Sequence, residues 1–241
     1  MGATSIIYRR ELLAYMRSPF SWVLAALLLL VEGILFQAYS LQGEQLSAIV
    51  LERFFYFASG IPLFGGVLLS FRLIAEERQQ HSMILLSTSP VRDTQIILGK
   101  FFAALTFFAI LLALSVYMPL LIKVHGKISS GQILVGYLGL FLMGAAVLAI
   151  GLFASSLTKS QLIAAVVAAV ITLLMCILYL FAKRLDGSVR DVLQQVDLWW
   201  IHFQNGFMRG VLNLKDVVYY VAVTYFFLLL AVKTLEAKRW Q

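Results

Sequence analysis

Few residues in this chain of 241 could do covalent chemistry, and their spacing argues against most of it. The three histidines, His81, His125 and His202, stand far apart. No H-E-x-x-H or similar close pair offers a metal its ligands. A hydrolase or acyltransferase would need a nucleophile and a base within reach of each other, and no short motif supplies them. Nor is there a phosphate-cradling G-x-x-x-x-G-K-[ST] loop. Gly99-Lys100 is followed by Phe101, and Thr94 stands where the first glycine would be. Two charged features remain. Glu32 is the single charge between Arg17 and Glu44, and Glu76-Glu77-Arg78 opens a polar stretch between two apolar blocks.

The elements that carry these residues follow from composition. Hydrophobic residues make up 61% of the chain and charged ones 13%, against about 45–50% and about 25% in soluble domains. The apolar residues fall in blocks. No charge occurs between Arg53 and Arg72, Lys100 and Lys123, Lys127 and Lys159, Lys159 and Lys183, or Asp216 and Lys233. Crossing a bilayer takes about 20 such residues as a helix. The predicted fold is therefore an all-α integral membrane protein with six transmembrane helices, at roughly 20–41, 54–73, 101–122, 133–156, 161–182 and 215–233, forming one permease-sized domain over 1–241. Barrel strands would instead alternate apolar and polar positions every second residue. Eleven lysines and arginines fall on the side shared by both termini and eight on the other, which favours cytoplasmic termini. The net charge of +7 then reads as membrane topology. No basic stripe with interleaved aromatics marks a nucleic-acid surface.

Within this frame Glu32 lies inside the first span. An acid at mid-helix costs about 2.5–3.5 kcal/mol on the insertion scale, so it must face protein or water. Two readings stand: a residue of a transport pathway or dimer seam, or an acid near the outer end that is protonated or bonded to a neighbour. Residues 4–18 place Tyr8, Leu12, Tyr15 and Met16 on one helical face, with Arg10 and Arg17 nearly opposite. That pattern predicts an N-terminal amphipathic helix along the membrane interface, ended by Pro19. A plain positive-inside anchor is the alternative. Residues 74–100 are longer than a connector needs. They read as two short helices with a turn at Ser87-Thr88-Ser89-Pro90, presenting Met83–Leu86 for burial. In 183–214, apolar residues from Val189 to Phe207 recur at helical spacing, predicting an outer amphipathic helix with Trp199 and Trp200 at headgroup level. A lid over the route or a site for an outer-side partner is the sharper reading of that loop. Small residues in the fourth and fifth spans predict close helix packing, and Gly60-Ile61-Pro62 with Gly65-Gly66 predicts a kink in the second.

Several segments, in order, resemble the type-2 ABC exporter permeases. Glu76/Glu77, Leu85-Leu86, Pro90-Val91 and Gly99-Lys100 match the inner loop of that family, although His81-Ser82 stands where many members carry Gly-Thr. Arg9-Arg10-Glu11-Leu12 before Arg17-Ser18-Pro19 is similar to its opening. His202-Phe203, Arg209-Gly210-Val211 and Leu214-Lys215-Asp216-Val217 resemble the approach to its last helix. The likeness is nearest to the gliding-motility (GldF-like) subgroup. The resemblance implies a permease subunit of an ATP-driven exporter in a bacterial plasma (inner) membrane, paired with a second copy or a paralogue. It implies that this chain binds no cofactor, ATP and Mg being held by a separate ABC ATPase subunit. The cytoplasmic loop after the second span would be the coupling helix, with Glu76, Glu77, Arg78, Leu85, Leu86 and Pro90 as ATPase contacts, and Arg10, Glu11 and Arg17 would belong to the interfacial helix. The rival reading is an ATPase-independent secondary carrier or a membrane-embedded enzyme. It has thin support, since a carrier usually buries several charges or repeats a pair of broken helices.

Overall fold

The structure, a computed structural model, describes residues 2–41, 46–79, 91–184 and 187–239. Every regular element among them is helical. Six helices are long and apolar enough to cross a membrane: Pro19–Ser40, Ser47–Gln79, Asp93–Val124, Ser130–Leu157, Gln161–Ala182 and Leu214–Lys238. The second begins at 47 rather than 54, the third at 93 rather than 101, and the last runs past 233. Charged turns outside the hydrocarbon lose nothing by staying helical, so the helices outrun the apolar blocks that announce them.

The N-terminal helix, Ala3–Arg17, ends at Ser18, whose backbone is extended (φ −75°, ψ 119°) ahead of Pro19. Proline's ring disfavours the helical conformation in the residue before it, and proline suits the first turn of a new helix, so the chain turns here into the first span. The second span is interrupted. Ser47–Ala58 leads to a π turn at Ile61–Gly65, then to Gly66–Ser70 and Arg72–Gln79. Pro62 has no N–H for the carbonyl one turn back, and the widened turn absorbs the defect.

The fourth span is the axis of the bundle: 67% of its most apolar stretch is buried, against 22% for the fifth span. Its glycines make this possible. A Cβ at Gly144 would overlap the Phe108 ring, and one at Gly151 would overlap the Ser70 side chain. The predicted close packing is thus between the fourth span and its neighbours. By contrast, Leu162, Ile163, Val166, Val170, Leu173 and Leu174 of the fifth span are exposed, as suits a face turned to lipid.

The loop before the last span, 183–214, departs from the single amphipathic helix expected of it. A helix covers only Ser188–Gln195, and a π turn at Trp200–Gln204 and a short 3-10 turn at Phe207–Arg209 follow. Asp197 causes the break. Its Oδ2 accepts from the backbone N–H of Trp199 at 3.0 Å and of Ile201 at 2.9 Å. A carboxylate capping free amides stops one helix and starts the next turn. As a result Leu198, Phe203 and Phe207 are buried against the bundle, and the Trp199 indole donates to Ser59 Oγ at 3.0 Å.

Candidate functional site

At the end of the bundle that carries the N-terminal helix, four charged side chains from three separate elements converge. Glu11 Oε1 lies 2.6 Å from Arg10 Nη2 and 3.1 Å from Lys100 Nζ. Glu77 Oε1 lies 2.7 Å from the same Arg10 nitrogen and 3.0 Å from the same lysine. Two cations and two carboxylates thus alternate in a closed ring. The Lys100 side chain is 2% exposed and Arg10 53%. Lysine is therefore the buried hub and arginine the outer clasp.

Local sequence explains why Lys100 can reach the ring. Gly99 lets the third span touch the N-terminal helix: a Cβ there would stand 2.8 Å from an Ile7 methyl and 3.1 Å from the Thr4 carbonyl. Tyr8 and Thr106 share a hydroxyl–hydroxyl bond (3.2 Å) further along the same contact. Tyr15 donates from its hydroxyl to the Leu69 carbonyl at 2.5 Å, tying the helix to the second span as well. Arg72 completes the framework. Its guanidinium lies over the rings of Tyr15 and Phe20, 5.3 and 5.2 Å from their centroids, and donates to Ser21 Oγ. Arg10, Tyr15, Arg72, Glu76, Glu77 and Lys100 are among the residues lining a cleft of 440 Å³.

Burial alone would push the Glu11 carboxyl up, but Lys100 and Arg10 outweigh it and hold it below the usual carboxylate range. Burial would likewise lower Arg10, and Glu11 and Glu77 instead keep it above its ordinary value. Both shifts favour the charged forms of Glu11 and Arg10, and each member of the ring depends on the others for its solvation.

Behind the ring, the Arg72–Gln79 helix is fastened to the fourth span. Ser155 Oγ accepts from the N–H of Ile74 (3.0 Å) and Ala75 (2.9 Å) and donates to the Phe71 carbonyl (2.8 Å). One hydroxyl thus satisfies the backbone groups freed where the second span bends at Phe71. Arg78 donates to the Ser156 carbonyl at 2.7 Å, and Lys238 donates to the carbonyls of Ser156 and Leu157 at 3.2 and 2.6 Å. Two cations from two other spans therefore cap the negative end of the fourth helix.

No metal-binding group of His, Cys, Asp and Glu forms among the described residues, and these four charged side chains pair within one ring. It joins the N-terminal helix to the polar turn after the second span and to the start of the third. A family model of ABC-2 family transporter proteins matches residues 22–232. The chain belongs to the ABC-2 transporter family. None of the curated proteins compared with it matches. As an ABC-2 permease it is a multi-span membrane component, and in this family the ATPase activity lies in a separate subunit.

The permease brings some of its sequence-predicted residues together and separates others. Glu77, Arg10 and Glu11 share the ring, and Glu76 lines the same cleft. Arg78 is directed to the end of the fourth span, and Arg17 is exposed at the last turn of its helix. Leu85, Leu86 and Pro90 lie outside the described residues, as does His81. Glu32 is buried within the single chain, 3% exposed. Lys100 and Ser155 escaped sequence reasoning. The signal for Lys100 was a lysine after a glycine at the head of an apolar block; Ser155 has none, being a serine in an apolar helix.

At the opposite end, His202 links the loop before the last span to that span. Its Nδ1 lies 2.7 Å from Asp216 Oδ1 and its Nε2 3.1 Å from the Gln195 carbonyl. The ring stacks on Tyr219 at 3.8 Å. Tyr219 and Tyr220 donate to the carbonyls of Val196 and Leu198, both at 2.7 Å. Asp197, inside this knot, is pushed above its ordinary value by burial, despite the amides it accepts from and the nearby His202. The His202 and Asp216 segments that support the family likeness are therefore in direct contact.

Proposed function

We propose that this chain is the permease of an ATP-driven exporter whose motor docks on the polar segment after the second span, and that the Arg10–Glu11–Glu77–Lys100 ring passes the motor's movement into the membrane. On this reading the ring, both termini and the ATPase lie in the cytoplasm of a bacterium, and the opposite knot faces outward across the plasma membrane. ATP and Mg belong to the ATPase subunit. Two permease copies, or this chain and a paralogue, form the transport unit. The segment likeness to gliding-motility (GldF-like) permeases supports that subgroup, in which mechanical work or export of an amphiphile are both compatible readings.

The observation that carries the proposal is the placement of Glu77. It sits at the end of a helix that leads directly into the polar segment, yet it is engaged with two other elements of its own chain. A residue so engaged relays motion rather than gripping the motor. Docking then falls to the sequence that follows, where Leu85 and Leu86 are the apolar candidates. A short rigid element gripped at one end and ion-paired at the other moves its neighbours as a body.

The test separates grip from relay. The chain is co-purified in lipid nanodiscs with the ATPase that binds it, and ATP hydrolysis is measured. Replacing Leu85 and Leu86 by Asp should abolish co-purification. Lys100→Met should leave co-purification intact but remove the permease's effect on ATP hydrolysis. Retained association and unchanged hydrolysis in both variants would refute the reading.

A further inference from the structure

Glu32 is the one acidic residue of the first span, which has no basic one. It shares a helical face with Leu28 and Phe36, one turn to either side. Leu28 packs on Gly65 of the second span, where an added Cβ would meet its Cδ1 at 3.0 Å. Phe36 meets Phe54 of the same span edge-on, with ring centroids 5.7 Å apart. Between these two contacts the acid is held level with the middle of the interrupted stretch 54–65. There Pro62 withholds an N–H from the Ala58 carbonyl and the helix widens into its π turn. Tyr137 of the fourth span packs on Phe55 at 5.6 Å, bonds through its hydroxyl to Ser115 Oγ at 2.9 Å, and lies within electrostatic reach of Glu32.

Neither carboxyl oxygen of Glu32 has a hydrogen-bond partner among the described residues, and neither has Ser40 Oγ, two turns further along that face. The charged groups of the surrounding elements are engaged elsewhere. Glu52 pairs with Arg209 and Arg53 donates to the Tyr39 carbonyl, both towards the outer end. Arg72 donates to Ser21, and Arg10, Glu11 and Lys100 are in the ring at the other end. On the third span, whose Met118 lies beside Gly33, Lys123 donates to Ser130 Oγ, and Tyr117 is exposed. A carboxylate buried with no counter-charge and no donors neutralises rather than bear the cost of desolvation. Orphaned oxygens beside a broken helix are where a small ligand enters, and for a carboxyl that ligand is hydrogen ion.

We infer that Glu32 is a proton-binding site of the transmembrane domain, taking up and releasing a proton at the break in the second span, with release drawing water into that break. The proton adds to a carboxylate oxygen to give the neutral acid and leaves to water. No other bond is made or broken. The inference rests on this chain alone and survives or fails independently of the export reading.

Infrared spectra of the full chain in lipid nanodiscs test it, recorded as wild type minus E32Q. At pH 6 the difference should contain the carbonyl stretch of a neutral carboxylic acid. The band should shift in D2O and be lost, with gain of carboxylate bands, as pH is raised. Amide hydrogen exchange at 59–66 should rise with that loss in the wild type, beyond the rise in E32Q. If E32Q does not fold, E32D assigns the band by displacing it. Carboxylate bands alone at pH 6 would overturn the inference. So would an acid band that neither shifts in D2O nor titrates, or exchange at 59–66 that follows the same course in both chains.

Discussion

The two ends of the bundle differ in what lies at their centre, although Tyr15, Ser155, Arg78 and Lys238 add backbone bonds around the ring and His202–Asp216 adds a side-chain pair to the knot. At the ring end, side chains from three elements meet one another: Arg10 and Glu11 from the N-terminal helix, Glu77 from the second span and Lys100 from the third. At the knot end, side chains bind mainly to backbone. Asp197 accepts from amides of Trp199 and Ile201, and Tyr219 and Tyr220 donate to carbonyls of Val196 and Leu198. Ion pairs between long side chains tolerate small displacements of the elements that carry them, because the charges attract over a range of distances. A hydrogen bond to a backbone group fixes one position and is lost over a fraction of an ångström. The ion pairs of the ring can therefore give where the backbone bonds of the knot cannot, which is what the proposed relay requires.

The comparison breaks most sharply at Lys100. Lys100→Met leaves Glu11 and Glu77 facing each other with only the exposed Arg10 between them. Removing one partner of a buried ion pair costs about 3–5 kcal/mol. Both acids keep some exposure (14% each), so the loss should fall at or below the lower end, read as a drop in thermal unfolding temperature together with loss of ATPase coupling. At the other end, Asp216→Ala removes the His202 partner and should cost about 1.5–3 kcal/mol. It should lower unfolding temperature while leaving ATPase coupling near wild type. If coupling fell as far as with Lys100→Met, the division between the two ends would not hold.

Ser155→Ala is next in size. It strands the N–H groups of Ile74 and Ala75, at about 1–3 kcal/mol for buried donors left unsatisfied. Hydrogen exchange should rise at those two amides and not at the knot. The smallest effects belong to the exposed arginine and to pH. Arg10→Gln should change stability by about 0–1 kcal/mol, as for an exposed ion pair. Because the folded state holds Glu11 below its ordinary value of 4.5, the ring's stabilisation is present above that value and fades as pH falls through the lower, folded one. Exchange protection of the Ala3–Arg17 helix should therefore weaken on acidification below about 4.5, and an unchanged profile would place the helix's anchorage elsewhere.

How much of this was legible in the sequence depends on the range of each interaction. The six spans were plain because runs such as Lys159–Lys183 contain only uncharged residues over a bilayer's thickness. The kink at Gly60–Gly66 was legible too, since proline and glycine act locally. Helix ends were not, because nothing in the turn holding Glu52 and Arg53 distinguishes an exposed helical turn from a loop. Lys100 announced a boundary but not its two partners, which lie 89 and 23 positions away. Ser155 acts across some 80 residues through a single hydroxyl, and no period records that. In 189–207 the hydrophobic spacing was real, but Asp197 interrupts it with a cap whose effect appears only when its carboxylate turns back on the chain.

The shared cap on the fourth span has one more consequence. Arg78 of the second span and Lys238 of the last hold the same carbonyl of Ser156. If a tug on the segment beyond Gln79 withdraws the arginine, the lysine inherits the post alone, and the final helix is drawn into the stroke although nothing pulls on it directly. The last span would then serve as a follower, hitched to the motor through the terminus of another helix.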